Sequence, residues 1–184
     1  MSIPETDDIE LLKKFRDESS RNLAFEQIVL KYQKKLYWLV RKIVIDHDDT
    51  DDILQNTFIK VWDNLANFRE DARLYTWLYR VATNEALTFL KKKRVRYMIP
   101  MVDVEHELAG KLSSDPYFSG NKLQMQLQKA VLTLPEKQRV VFNMKYFEEM
   151  KYEDMSEVLG TSVGALKASY HHAVKKVEKY FEKD

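Results

Sequence analysis

Cysteine is absent from the 184 residues, and glycine and proline number only four each. Without cysteine there is no disulfide and no thiolate site for zinc or an iron–sulfur cluster. Sheet proteins lean on glycine, proline and Asn-Gly or Asp-Gly pairs for their turns. Here no glycine or proline occurs from Glu5 to Ile99, which argues strongly against a β sandwich or barrel. A glycine-rich phosphate loop is also missing, since neither GxGxxG nor GxxxxGK can be found. The longest apolar run is LYWLV, far below the ~20 residues of a membrane span. The start, MSIPETDDIE, is acidic and polar and is not expected to be a signal peptide. Strong charge of either sign is lacking too: the net value is +1. A protein that gripped DNA alone through many phosphates would usually be more basic. No nucleophile–base pair, metal cluster or cofactor loop suggests an enzyme, and neither a cofactor nor a small-molecule substrate is expected.

What is present is helical periodicity. The expected fold is all-α: two small helical domains joined by a flexible linker. Four of the eight glycines and prolines fall between Pro100 and Gly120, a stretch where Asp103, Glu105, Glu107 and Asp115 face Lys111 alone. This marks residues 98–122 as an acidic linker between domains at 1–97 and 123–184. In the first domain, helices are expected at about 7–17, 20–45, 49–65 and 74–94. The second of these carries Phe25, Ile28, Val29, Tyr32, Leu36, Leu39, Val40 and Ile43 at steps of three and four. Phe58, Val61, Trp62 and Leu65 are read as one face of the third. In the second domain, helices are expected at about 122–132, from Pro135 onward, at 151–159 and at 163–181.

The segment from Tyr152 to Ala173 has the pattern of a helix-turn-helix. Ser156 is the small residue where the helices cross, Gly160 the turn, and Met155, Leu159, Val163 and Leu166 the contacts between them. Thr161 or Ser162 can cap the second helix and leave N–H groups free for phosphate. On that helix Val163, Leu166, Tyr170, Val174 and Val177 point inward. Ala168, His171, His172, Lys175 and Lys179 point outward, a mixture suited to base and phosphate contact. Lys167, beside the core arc, could reach a phosphate. A plain helical hairpin in another bundle would share much of this pattern.

The fourth helix has two faces. Leu78, Ala82, Ala86 and Phe89 are apolar, whereas Trp77, Arg80, Asn84, Thr88 and Lys91 line the other side. Phe68, Arg69 and Tyr75 precede them, and the helix ends in KKKRVR. Rings beside an amide and a cationic track can grip a single strand, and an extruded base offers its edge to a group such as Asn84. Taken singly, Trp77 and Tyr75 fit a core, and the basic run fits a solvated helix end. The aspartates at 46, 48, 49, 51 and 52 lack the spacing of a calcium loop. They suit N-capping of the third helix, or an acidic docking surface beside Gln55, Asn56 and Lys60.

Three blocks now stand in order: DDILQNTFIKVWDNLANFRED, YTWLYRVATNEALTFLKKKR and LPEKQRVVFNMKYFEEMKYEDMSEVLGTSVGALKASYHHAVKKVEK. Together they resemble the extracytoplasmic-function (ECF) sigma factors of bacterial RNA polymerase across most of the chain. The resemblance implies a non-enzymatic initiation factor that binds core polymerase, recognises the promoter minus-ten and minus-thirty-five elements and promotes DNA melting. It implies polymerase contacts at Asp52, Gln55, Asn56, Phe58, Ile59 and Trp62, and minus-ten contacts at Phe68, Arg69, Asp71, Trp77, Arg80, Asn84 and Lys91. For the minus-thirty-five element it implies Ser162, Lys167, Ala168, His171, His172 and Lys175. It also implies a linker threaded through the polymerase channel, a cytoplasmic location, and an anti-sigma partner of the kind often bound to the membrane. Asn56 stands where the family usually has glutamate, and Ser169 and His172 where arginines are common. A self-sufficient helix-turn-helix regulator or a helical scaffold would be the rival readings; DNA binding with and without polymerase separates them.

Overall fold

The computed structural model describes residues 7–69, 72–97, 110, 112 and 122–182, and every regular element among them is helical. Four helices come first: α1 (Asp8–Arg16), α2 (Arg21–Val44), α3 (His47–Leu65) and α4 (Leu74–Tyr97). Beyond the linker lie α5 (Lys122–Leu132) and α6 (Glu136–Phe142), which runs into a π-helical turn at Asn143–Phe147. Then come α7 (Tyr152–Leu159) and α8 (Val163–Phe181). The all-α expectation holds. The expected linker lies outside the described residues except for Gly110, Leu112 and Lys122.

Local chemistry explains several helix ends. Asp7 accepts a hydrogen bond from the Ile9 N–H. Asp46 accepts one from the Asp49 N–H at 2.9 Å and so caps α3, while Asp48 and Asp49 sit in the first turn near the positive end of the helix dipole. Pro135 is not the first helical residue. It has extended backbone (φ −52°, ψ 142°) and forms the cap, so α6 opens one residue later than the sequence suggests. Ile45 ends α2 at φ +65°, a region that β-branched residues rarely enter. Burial with Leu112 and Leu132, and an N–H bond to the Arg41 carbonyl at 2.9 Å, hold it there.

The stripe on α2 packs as expected. Ile28, Tyr32, Leu36, Leu39, Val40 and Ile43 are buried, joined by Ala24 and Val44, whereas Phe25 and Val29 are half-buried. On α3 the buried line is Ile53, Thr57, Val61 and Leu65. Phe58 and Trp62 stand at its margin rather than in it. Their rings meet the α1–α2 aromatics, with Trp62 5.3 Å from Phe15 and 5.0 Å from Phe25, and Phe58 6.4 Å from Phe25. Edge-on pairs of this kind favour these spacings.

In the second domain α5, α6 and α8 bury Ala130, Val131, Leu134, Phe142, Ala173 and Val177 together. Tyr170 and Val174 are only half-buried, because Ala173 takes the central position that its small size allows. Gly160 closes α7 in the left-handed region (φ +61°), its N–H bonded to the Ser156 carbonyl at 2.9 Å. A Cβ there would meet nothing within 4 Å, so a substitution bears the backbone cost alone. Gly160→Ala is expected to destabilise the fold by about 1–2 kcal/mol, read as a lower midpoint in urea unfolding with an unchanged slope.

The two helical sets touch. Leu74, Leu78, Tyr79 and Ala82 of α4 share one buried apolar cluster with Met150, Met155, Val158 and Leu166. No periodic pattern points to this packing between the two helical sets, which were expected only to be joined by a flexible linker.

Candidate nucleic-acid interface

On α4, Arg80, Asn84, Thr88 and Lys91 are exposed in one track at steps of four and three. Trp77 is half-buried at its upper end, with its ring 5.2 Å from that of Phe68. Phe68 departs from expectation. Its side chain is buried, and its carbonyl accepts a hydrogen bond from Arg16 at 2.9 Å. The ring therefore supports Trp77 and is not itself offered to a base. Arg69 is exposed, while Asp71, the loop's other expected contact, lies outside the described residues.

Tyr75 is half-buried against Tyr79, ring centroids 4.3 Å apart. Burial pushes both hydroxyls above the usual tyrosine range, and nearby Glu148 adds to the effect. Tyr79 is a core residue that the two-face reading of α4 missed. The basic end of the helix is partly engaged: Lys93 pairs with Asp49 at 2.7 Å. Arg80 is engaged as well, its Nε donating to the Glu157 carbonyl of α7 at 2.9 Å.

The α3 surface is a second, different patch. Asp52, Gln55, Asn56 and Ile59 are exposed on one face, and Trp62 shows 36% of its surface at the next turn. Ile59 is 53% exposed. An apolar side chain ringed by acid and amide groups is the make-up of a partner-facing spot. Phe58 is half-buried behind this face and braces it. Lys60 is paired with Glu85 of α4.

The third patch is the outer side of α8. Ser162 caps the helix, its Oγ accepting from the Ala165 N–H at 3.3 Å, which decides between the two candidate caps. Thr161 instead donates to the Leu159 carbonyl. Lys167, Ala168, His171, His172 and Lys175 are all exposed. Lys167 rests with its ammonium 5.7 Å from the Tyr152 ring centre. The two imidazole ring centres are 6.0 Å apart and the rings are tilted by 55°. This is a capped helix with a small, imidazole and cationic outer face, held by a tight αL turn.

Comparison with known proteins places both halves. Residues 28–96 match the family model for Sigma-70 region 2, and residues 124–177 that for Sigma-70, region 4. The chain is 31% identical over 164 residues to the RNA polymerase sigma-H factor of Pseudomonas aeruginosa, covering 85% of each protein. It is 31% identical over 157 residues to the ECF RNA polymerase sigma factor SigW of Bacillus subtilis, covering 80% of this chain and 83% of that one. Among solved structures, CnrH in complex with the cytosolic domain of CnrY superposes with a TM-score of 0.71 at 23% identity, covering 96% of this chain and 98% of the other. The sigma factor RpoE bound to the anti-sigma factor NepR from Bartonella quintana gives 0.69 at 21% identity, covering 87% and 98%.

Proposed function

This chain belongs to the ECF sigma factors of bacterial RNA polymerase, and we propose how its residues divide the work of that family. The chain binds core polymerase, recognises minus-ten and minus-thirty-five elements and promotes melting. Residues 1–97 would dock on polymerase and open the minus-ten region, residues 98–122 would connect, and residues 123–184 would read the minus-thirty-five element. The observation that carries this division is the exposed polar track of α4 in region 2 together with the capped outer face of α8 in region 4.

Charge sets the mechanism. A net charge of +1 gives little pull on phosphates, so polymerase supplies that attraction and this chain supplies selection. Opening is driven by trapping an unstacked base, at a cost of a few kcal/mol that stacking and edge contacts offset. Trp77 gives an apolar edge, Asn84 a donor and an acceptor for a base, and Arg80 and Lys91 cations for the backbone. The α3 face from Asp52 to Trp62 meets polymerase. On α8, Lys167 and Lys175 contact phosphates, and His171 and His172 face base edges. None of these groups forms a catalytic set, and the chain acts by binding.

Among the described residues no helix is long and apolar enough to cross a membrane. Both solved neighbours are bound to a second protein, named in one case as an anti-sigma factor. An anti-sigma partner for this chain follows by analogy, and one anchored in the inner membrane would hold this cytoplasmic protein there until released.

The direct test is transcription from a cognate promoter by core polymerase with and without this chain. Initiation that needs the chain supports the reading, whereas tight duplex binding by the chain alone would overturn it. A narrower test is His172→Ala, which removes a donor and acceptor from the outer face of α8. It should shift the minus-thirty-five preference by about 5–50-fold at one or two positions and leave polymerase affinity intact. An unchanged promoter profile in a randomised-element selection would count against the assignment.

A further inference from the structure

The short helix α1 belongs to neither the docking face nor the two DNA-reading faces. Its C-terminal end is nevertheless fixed with care. Asp17 folds the chain into a turn, its carboxylate accepting from the Ser19 N–H at 3.0 Å and from the Ser19 hydroxyl at 2.8 Å. A helix leaves its last carbonyls without internal donors, and here two of them are met from the start of α2. The Ser20 hydroxyl donates to the Lys14 carbonyl at 2.8 Å. Arg21 donates to the Phe15 carbonyl at 3.1 Å, with its guanidinium 5.7 Å from the Phe15 ring centre. A helix end held in this way is a rigid base from which a long side chain can fix something else.

Two neighbouring residues use that base in different directions. Phe15 is buried against the Trp62 ring, behind the α3 face. Arg16 instead sends its Nη2 to the Phe68 carbonyl at 2.9 Å, 52 residues along the chain. The Phe68 N–H donates to the Leu65 carbonyl at 3.2 Å, so both backbone polar groups of Phe68 are engaged. The buried Phe68 ring in turn lies 5.2 Å from the ring of Trp77, at the upper end of the exposed α4 track. We propose that Arg16 is a positioning residue for base capture: it fixes Phe68, and Phe68 sets the Trp77 ring where an extruded base stacks, while Arg16 itself touches no DNA. This rests on the reading of α4 as the minus-ten face.

The chemistry suits that role. Phe68 lies beyond the end of α3, so its carbonyl is outside any helical ladder and needs a donor from elsewhere. A guanidinium is a stronger donor than a neutral group, and removing it leaves a partly buried carbonyl unmet. Phe68 is then free to shift, and Trp77 loses the fixed surface beneath it. Stacking depends on where a ring is held, so the loss falls on the base-dependent part of strand affinity. Docking on polymerase does not pass through Arg16, because the Phe15–Trp62 contact stays in place.

The test uses holoenzyme assembled from core polymerase and the full chain, titrated with fluorescent minus-ten single strands that each lack one base. In the unmodified holoenzyme one abasic position should weaken binding most. Arg16→Ala should shrink that penalty about fivefold, within the worth of one hydrogen bond to a charged group. It should do so by weakening the intact strand and leaving the abasic strand as it was. Affinity for core polymerase and the dependence of strand affinity on salt should not change. Arg16→Lys, which keeps a cation and a donor, should recover the penalty. Arg16→Met, which keeps the apolar stem without the donor, gives the same readout should Arg16→Ala fail to fold by circular dichroism. Equal weakening on intact and abasic strands, with a salt slope lower by about one, would make Arg16 a phosphate contact and overturn the proposal. So would a penalty that Arg16→Ala leaves unchanged, one that Arg16→Lys does not recover, or an equal loss of polymerase affinity. Failure of the underlying reading looks different: no abasic site would carry a distinct penalty even in the unmodified holoenzyme, and the proposal would fall with it.

Discussion

Asn84→Ala is expected to lower open-complex formation by about 10–100-fold while affinity for core polymerase stays within about twofold. The magnitude follows from what an amide does at a base edge: a bidentate contact discriminates by about 1–3 kcal/mol, and 1.4 kcal/mol is tenfold. Asn84 is the member of the α4 track best placed to make such a contact. It is exposed, whereas Arg80 is bonded to Glu157 and Lys93 to Asp49 in the free chain. Misfolding cannot imitate the defect, because alanine favours an exposed helical position more than asparagine does. Reactivity of unpaired thymines to permanganate measures opening, and fluorescence titration measures polymerase binding. On a template with a pre-formed bubble the cost of unstacking is already met, so the defect should shrink but persist through the lost base contact. Equal losses of opening and of polymerase affinity would refute a base-reading role.

The elements that were legible in the sequence are those governed by one partner and one period. The α2 stripe, the Asp46 cap and the Gly160 turn each answer to local chemistry and the 3.6-residue repeat. Tyr79 was hidden because α4 is covered from two sides, by α2 and α3 on one and by α7 on the other. A search for one apolar stripe then misassigns whatever faces the second partner. The signal was available in Trp77, Leu78, Tyr79, Val81 and Ala82, a run apolar nearly all round, which marks a helix buried on more than one side. Phe68 looked like a presented ring because loop aromatics near a basic helix fit strand capture, but only tertiary packing shows it wedged beneath Trp77. The ion pairs between the two helical sets lie beyond any periodic rule. Lys42 and Glu148 are 106 residues apart, and Arg73 and Asp154 are 81.

Ile59→Asp is expected to weaken binding to core polymerase by at least about 30-fold, the loss of 2 kcal/mol or more that marks an interface hot spot. The position is chosen for what it does not touch. Trp62 is the larger group on that face, but its ring meets Phe15 and Phe25 edge-on, so truncating it would unsettle α1 and α2 along with any interface. Ile59 is 53% exposed and turned away from the core line of Ile53, Val61 and Leu65. Its replacement should lower the stability of the free chain by no more than the ~0.7 kcal/mol spread of ordinary helix propensities. Titration with core enzyme and thermal unfolding of the free chain separate the two effects. The consequence for transcription differs in kind from that of Asn84→Ala. A docking defect is a binding deficit, and raising the concentration of the chain should restore initiation by mass action. A base-capture defect sits downstream of assembly, and saturating the polymerase should leave it in place. If Ile59→Asp lowered transcription at every concentration while binding polymerase normally, the α3 face would not be the docking surface.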